Sequence, residues 1–127
     1  MLQAIHHIAI IAGDYQRSKA FYTSVLGLEI VREVYREERR SYKLDLSLNG
    51  SYIIELFSFP DAPPRPSRPE AQGLRHLAFA VNDLAGAIEN LAAKGVTCEP
   101  VRVDPHTGKK FSFFADPDGL PLELYEL

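Results

Sequence analysis

An α+β domain built from two βαβββ modules is predicted by three features of the chain. His7-Ile-Ala-Ile-Ile-Ala-Gly-Asp14 can be laid over His76-Leu-Ala-Phe-Ala-Val-Asn-Asp83 without a gap. Each of these runs leads into an amphipathic stretch that stops at a glycine. Each half then turns to short segments of strand-like alternation separated by turn residues.

Both opening strands, expected at 4–12 and 75–82, lead to an Asp that can accept hydrogen bonds from the exposed N–H groups of a helix start. After Asp83, the residues Leu84, Ala87, Ile88, Leu91 and Ala92 repeat at helical spacing. Ala20, Phe21, Val25 and Leu26 make a shorter stripe after Asp14. Gly27 and Gly95 follow at similar offsets, where helices often end in a left-handed residue. The first module continues with strands at 28–37, 42–48 and 51–58. In the second of these, Leu44, Leu46 and Leu48 alternate with Lys43, Asp45 and Ser47, and Asn49-Gly50 supplies a hairpin turn. The stretch from Glu29 to Arg40 is rich in charge and reads as a solvated edge. The second module continues with strands at 97–103, 109–115 and 120–126, with Asp116-Pro-Asp-Gly119 turning the last pair. The expected plan is one domain over 1–127, with module one at about 1–59, a stiff proline-rich linker at 60–72 and module two at about 73–127. Arg65 and Arg68 in that linker are candidates to meet an anionic substrate.

Composition narrows the functional classes. A chain of 127 residues with 46% hydrophobic content can bury one core but not two independent ones. The net charge of −3 mixes both signs, so no basic field exists to recruit nucleic acid or an anionic membrane. The apolar runs are too short to span a bilayer, and no signal-like segment opens the sequence. Cys98 is the single cysteine, which excludes an internal disulfide and a multi-thiolate zinc site. The expected compartment is the cytoplasm.

Four ionisable residues lie within apolar strand patterns: His7, Glu55, His76 and Glu123. A carboxylate on a buried face is costly unless it is paired or bound to a metal, so the glutamates carry the stronger signal. The His-to-Glu spacing is 48 residues in the first half and 47 in the second, so related modules could bring two imidazoles and two carboxylates to one centre. Such a set suits one divalent ion, with Zn²⁺ or Ni²⁺ first and Co²⁺, Mn²⁺ or Fe²⁺ also compatible. The competing reading pairs the glutamates with arginines and leaves the histidines as packing residues. His6 is expected on the opposite face from His7 in a packing role, and His106 in a loop.

With these residues in place, His6-His-Ile-Ala-Ile10, Phe21-Tyr22 with Val25-Leu-Gly-Leu28, Ile54-Glu-Leu56, Arg75-His-Leu-Ala78 and Asp116-Pro-Asp-Gly-Leu-Pro-Leu-Glu123 resemble the glyoxalase I (lactoylglutathione lyase) branch of the vicinal-oxygen-chelate superfamily over nearly the whole chain. The resemblance implies a curved eight-stranded sheet around a metal-containing cavity, usually in a homodimer, with His7, Glu55, His76 and Glu123 as ligands. It further implies a proton taken from the carbon beside a carbonyl, with Glu123 as the expected base and Glu55 able to act from the opposite face. The sequence departs from bacterial glyoxalase I at Ile11, where the family has an arginine for glutathione, and at Phe59, where it has an asparagine. Each lost charge-assisted hydrogen bond is worth about 1.5–3 kcal/mol. Lys109, Lys110 and Arg102 are possible replacements. Three function classes follow. The first is a metal-dependent lyase or isomerase acting on a thiol hemithioacetal or another small 2-oxo compound. The second is a non-haem dioxygenase or thiol transferase of the same superfamily, against which a fourth ligand counts. The third is a small-molecule binding or resistance protein without turnover, which has no need of buried carboxylates.

Overall fold

The computed structural model describes all residues from Met1 to Leu127. The chain divides into two compact units, Met1–Pro64 and Arg65–Leu127, and the division falls inside the proline-rich segment. In the first unit the elements are β1 (Ile8–Ala12), α1 (Tyr15–Ala20), β2 (Glu29–Arg36), β3 (Ser41–Leu48) and β4 (Ser51–Ser58). In the second they are β5 (Leu77–Val81), α2 (Leu84–Ala93), β6 (Arg102–Val103), β7 (Lys110–Ala115) and β8 (Pro121–Glu126). The eight strands form two four-stranded sheets with the same order, β1-β4-β3-β2 and β5-β8-β7-β6. In each, the first strand of the unit pairs parallel with the last and the other neighbours pair antiparallel.

The expected helix starts form as capped ends. Asp14 accepts from the Arg17 N–H at 3.1 Å and Asp83 from the Gly86 N–H at 3.0 Å. Beyond Ala20 the first helix widens into a π-helical turn over Phe21–Val25, closed by the Leu26 N–H to the Phe21 carbonyl at 3.0 Å. This turn buries Phe21 and Tyr22 together. Gly27 and Gly95 then take φ of 80° and 83°, the left-handed conformation that a Cβ would strain. The buried side chains include Tyr22, Leu44, Leu46, Ile54 and Leu56 in the first unit and Leu84, Leu91, Phe114, Leu122 and Leu124 in the second.

Three strands start two or more residues later than expected. β1 begins at Ile8 and β5 at Leu77, so the two site histidines stand one residue ahead of their strands. The partner residues next in register, Ile53 and Pro121, are irregular. Ile53 is skipped where the β3–β4 register shifts, and Pro121 lacks an N–H. β6 shrinks from the expected 97–103 to Arg102–Val103. Ahead of it Pro100 cannot donate, and Glu99 is tied irregularly, its N–H to the Phe113 carbonyl at 2.7 Å and its carbonyl to the Ser112 hydroxyl at 2.7 Å.

The β7–β8 turn is held from within. The buried Asp116 carboxylate accepts from the backbone N–H groups of Asp118 and Leu120, both at 2.9 Å, and so sets the entry of β8. Asp116→Ala leaves these donors without a charged acceptor and is expected to cost about 2 kcal/mol, measured as a lowered denaturant midpoint at unchanged m-value.

Candidate metal centre

Each unit places a histidine and a glutamate side by side. Parallel pairing sets Ala9 of β1 against Glu55 of β4, and Ala78 of β5 against Glu123 of β8. The residue two positions before each alanine points to the same face, and that residue is His7 in one unit and His76 in the other. His7 Nε2 lies 3.2 Å from Glu55 Oε2, and His76 Nε2 lies 3.0 Å from Glu123 Oε2. The alanines leave room above the carboxylates, so identical registers give nearly identical pairs. Neither unit contains a group of three or more His, Cys, Asp or Glu side chains that could hold a metal. Within each module the histidine and the glutamate form a pair.

The surroundings of the two pairs differ. At the position opposite Glu55 on β3 stands Asp45, and at the position opposite Glu123 on β7 stands Phe113. In the first unit Lys43 Nζ bridges the carboxylates, 2.6 Å from Asp45 Oδ1 and 3.3 Å from Glu55 Oε1. Tyr52 donates its hydroxyl to Asp45 at 3.2 Å and leans its ring on His7, with centroids 5.4 Å apart. Burial alone would raise the Asp45 carboxyl, but the Lys43 ammonium, Tyr52 and Arg32 outweigh it and hold the group below its ordinary range. Lys43 is raised in turn, mainly by its hydrogen bond to Asp45, and Tyr52 by burial and then by Glu55. In the second unit Phe113 meets His76 edge to face at 5.1 Å, and the Nδ1 of His76 is buried without a hydrogen-bond partner. That ring makes its polar contact through Nε2, the nitrogen beside Glu123.

Asp45, one of the polar residues alternating with leucines along β3, is 3% exposed. Counting outward from the Asn49-Gly50 turn pairs Asp45 with Ile54. The register shift beyond Leu46 moves it opposite Glu55, an irregularity that alternation does not disclose. His6 also differs from expectation, because it is exposed and its Nδ1 lies 2.8 Å from the Nδ1 of His7, within reach of the site. His106 sits in an exposed turn, where its N–H donates to Asp104. Ile11 is exposed on β1, and Phe59 stacks on Phe57 beneath the guanidinium groups of Arg36 and Arg39. Of the suggested replacements, the Lys109 ammonium donates to the Leu127 carbonyl, whereas Arg102 joins His76 in lining a cavity of about 410 Å³ in the second unit. Arg65 and Arg68 line the same cavity.

A family model described as the Glyoxalase/Bleomycin resistance protein/Dioxygenase superfamily matches residues 4–124. The chain belongs to that superfamily. Protein YwkD of Bacillus subtilis is 66% identical over 126 residues, covering 99% of this chain and 98% of its own length. The crystal structure of a glyoxalase family protein from Enterococcus faecalis superposes with a TM-score of 0.91 at 52% identity, over 98% of each chain. A lactoylglutathione lyase of Salmonella typhimurium is 34% identical over 130 residues, 94% of this chain and 90% of that protein. The glyoxalase superfamily assignment accords with the repeated module, and no helix is long and apolar enough to cross a membrane.

The depressed Asp45 carboxyl contributes stability above its ordinary titration range, and that stability is lost as pH falls through the lower folded-state value. Asp45→Asn is therefore expected to flatten the acid limb of the stability curve from about pH 4 downward, read from denaturant midpoints across the pH series.

Proposed function

We propose that this protein is a metal-dependent lyase or isomerase of the glyoxalase type, which removes a proton from the carbon next to a carbonyl in a small substrate. The observation that carries the reading is the repetition of one His–Glu pair at one register in both units. Two imidazoles and two carboxylates make a donor set with the chemistry of a Zn²⁺ or Ni²⁺ site, and His7, Glu55, His76 and Glu123 would hold the ion. The convergence of Nε2 and a carboxylate oxygen in each pair fits that role. A bound divalent ion would offset negative charge growing on the carbonyl oxygen.

The chain's own groups divide the remaining work unequally. Lys43 grips Glu55, and Asp45, which accepts from the Tyr52 hydroxyl, anchors Lys43 in turn, so Glu55 is held in place as a ligand. Glu123 has His76 as its partner and the apolar face of Phe113 opposite, with no cation tying it down. It is the carboxylate with freedom to turn toward substrate and accept the proton, and the same group can return it at the neighbouring carbon. Ile11 and Phe59 offer no donor to a peptide carboxylate, which directs the reading away from glutathione recognition by the first unit. Leu2, Ile5, Ile30, Val31 and Val34 are exposed apolar side chains that a second copy of the chain would cover, supporting a homodimer measurable by light scattering.

The test is to strip the purified protein of metal, reload it in parallel with Zn²⁺, Ni²⁺, Co²⁺, Mn²⁺ and Fe²⁺, and count ions per chain. One ion per chain is expected, with Glu55→Gln weakening its binding at least tenfold; full retention of metal and turnover in that variant overturns the four-ligand set. Glu123→Gln is expected to lower kcat by roughly 10²–10⁴ on any accepted 2-oxo substrate.

A further inference from the structure

We infer that the cavity in the second unit is the subsite for an anionic group, a carboxylate or a phosphoryl group, on the small molecule this protein recognises. The inference deepens the proposed function, since it rests on His76 facing the reacting end of the same ligand. At about 410 Å³ the cavity has the size of a small-metabolite site, and His76 forms part of its wall together with Arg65, Arg68, Arg75 and Arg102. Only two carboxylates, Glu70 and Glu99, line it against these four guanidinium groups. The excess of two positive charges stands out in a chain whose net charge is −3.

The arginines have distinct roles. Arg65 is committed to structure: its Nε donates to the Ser67 hydroxyl at 2.6 Å and its Nη2 to the Leu74 carbonyl at 2.9 Å, which closes residues 65–75 into a loop along the cavity. Those acceptors are uncharged, so its positive charge is not cancelled. Arg68 and Arg75 share one partner, Glu70 Oε1, at 3.3 Å and 3.8 Å, and Arg102 lies 3.6 Å from Glu99. All of these side chains are more than half solvent-exposed or nearly so, and such long, wet ion pairs hold their partners weakly. An incoming anion can replace them with two-pronged contacts that guanidinium groups make well. Arg102 is also presented in a fixed attitude, because its guanidinium lies over Phe111 at 5.1 Å and Phe113 at 5.4 Å.

Phe113 links this charge to the reactive end. One of its edges meets His76, while Arg102 lies over its face. A ligand whose anionic end pairs with Arg102 and Arg75 would extend past this ring toward His76 and Glu123. Pro100 and Pro121 supply apolar wall for the carbon chain between. The ligand class is therefore a short 2-oxo or 2-hydroxy compound that ends in a carboxylate or a phosphate ester.

The test titrates chelator-treated, metal-free protein with inorganic phosphate and, separately, with succinate at low ionic strength, following amide shifts by ¹H–¹⁵N NMR. Saturable shifts confined to residues 65–76 and 99–102 are expected with at least one probe, and the probe that binds tells phosphoryl from carboxylate recognition. Arg68→Gln/Arg75→Gln should weaken binding at least tenfold, and Arg102→Gln should do the same in a protein whose remaining spectrum is unchanged. Arg17→Gln, which removes an equal charge from α1, should change it less than twofold. Binding of neither anion, or equal weakening by Arg17→Gln, overturns the inference. Because the titration is done without metal, a protein that binds anions here but takes up no divalent ion keeps this subsite and loses the metalloenzyme reading. A protein that binds metal but neither anion does the reverse.

Discussion

The parallel pairing of the first and last strands in each unit is the constraint on which the site depends. A parallel neighbour cannot be reached through a tight turn, so the chain must cross over a helix and two further strands before β4 returns beside β1, and β8 beside β5. That path makes a His near the start of a module and a Glu near its end into neighbours 3.0–3.2 Å apart. The helix caps at Asp14 and Asp83 turn the chain into the crossover, and the carboxylate of Asp116 sets the return of β8.

Duplication gave two frames of one geometry but did not keep their contents alike. Asp45 and Phe113 occupy equivalent places opposite the two glutamates, and Lys43 and Phe111 occupy equivalent places two pairs further along. In the first unit the position became an ionic cluster in which a buried carboxylate, an ammonium and a phenol hold a neighbouring glutamate. In the second it became an aromatic wall shared by a histidine and an arginine. Buried charge is tolerated in the first because every member has a partner of opposite charge or a hydrogen bond.

The charge-rich Glu29–Arg40 stretch illustrates a feature that carries little chemistry. It forms the edge strand β2 and a short turn, with Glu33 meeting Lys19 and the Tyr15 hydroxyl across to α1. Its side chains, charged and apolar alike, are exposed or half-buried. The guanidinium cluster around the cavity contrasts with it, being concave, net positive and next to a candidate ligand.

Much of this architecture was legible in residue order. The repeat, the capping aspartates, the left-handed glycines, the hairpin at Asn49-Gly50 and the four ligand candidates all depend on local patterns with period two or 3.6 or on spacing between copies, and such patterns are written in one dimension. The one-residue slip beyond Leu46 was not legible, because a bulge changes register without changing composition. That slip buried Asp45 beside Glu55. The gathering of Arg65, Arg68, Arg75 and Arg102 about His76 also escaped a reading along the chain, since these residues come from the linker, the approach to β5 and the short strand β6. Sequence by itself determined the repeated module and singled out a histidine and a glutamate at matching places in each copy. The tertiary structure alone decided which charges stand beside each glutamate, because those neighbours are set by cross-strand register and loop closure rather than by position along the chain.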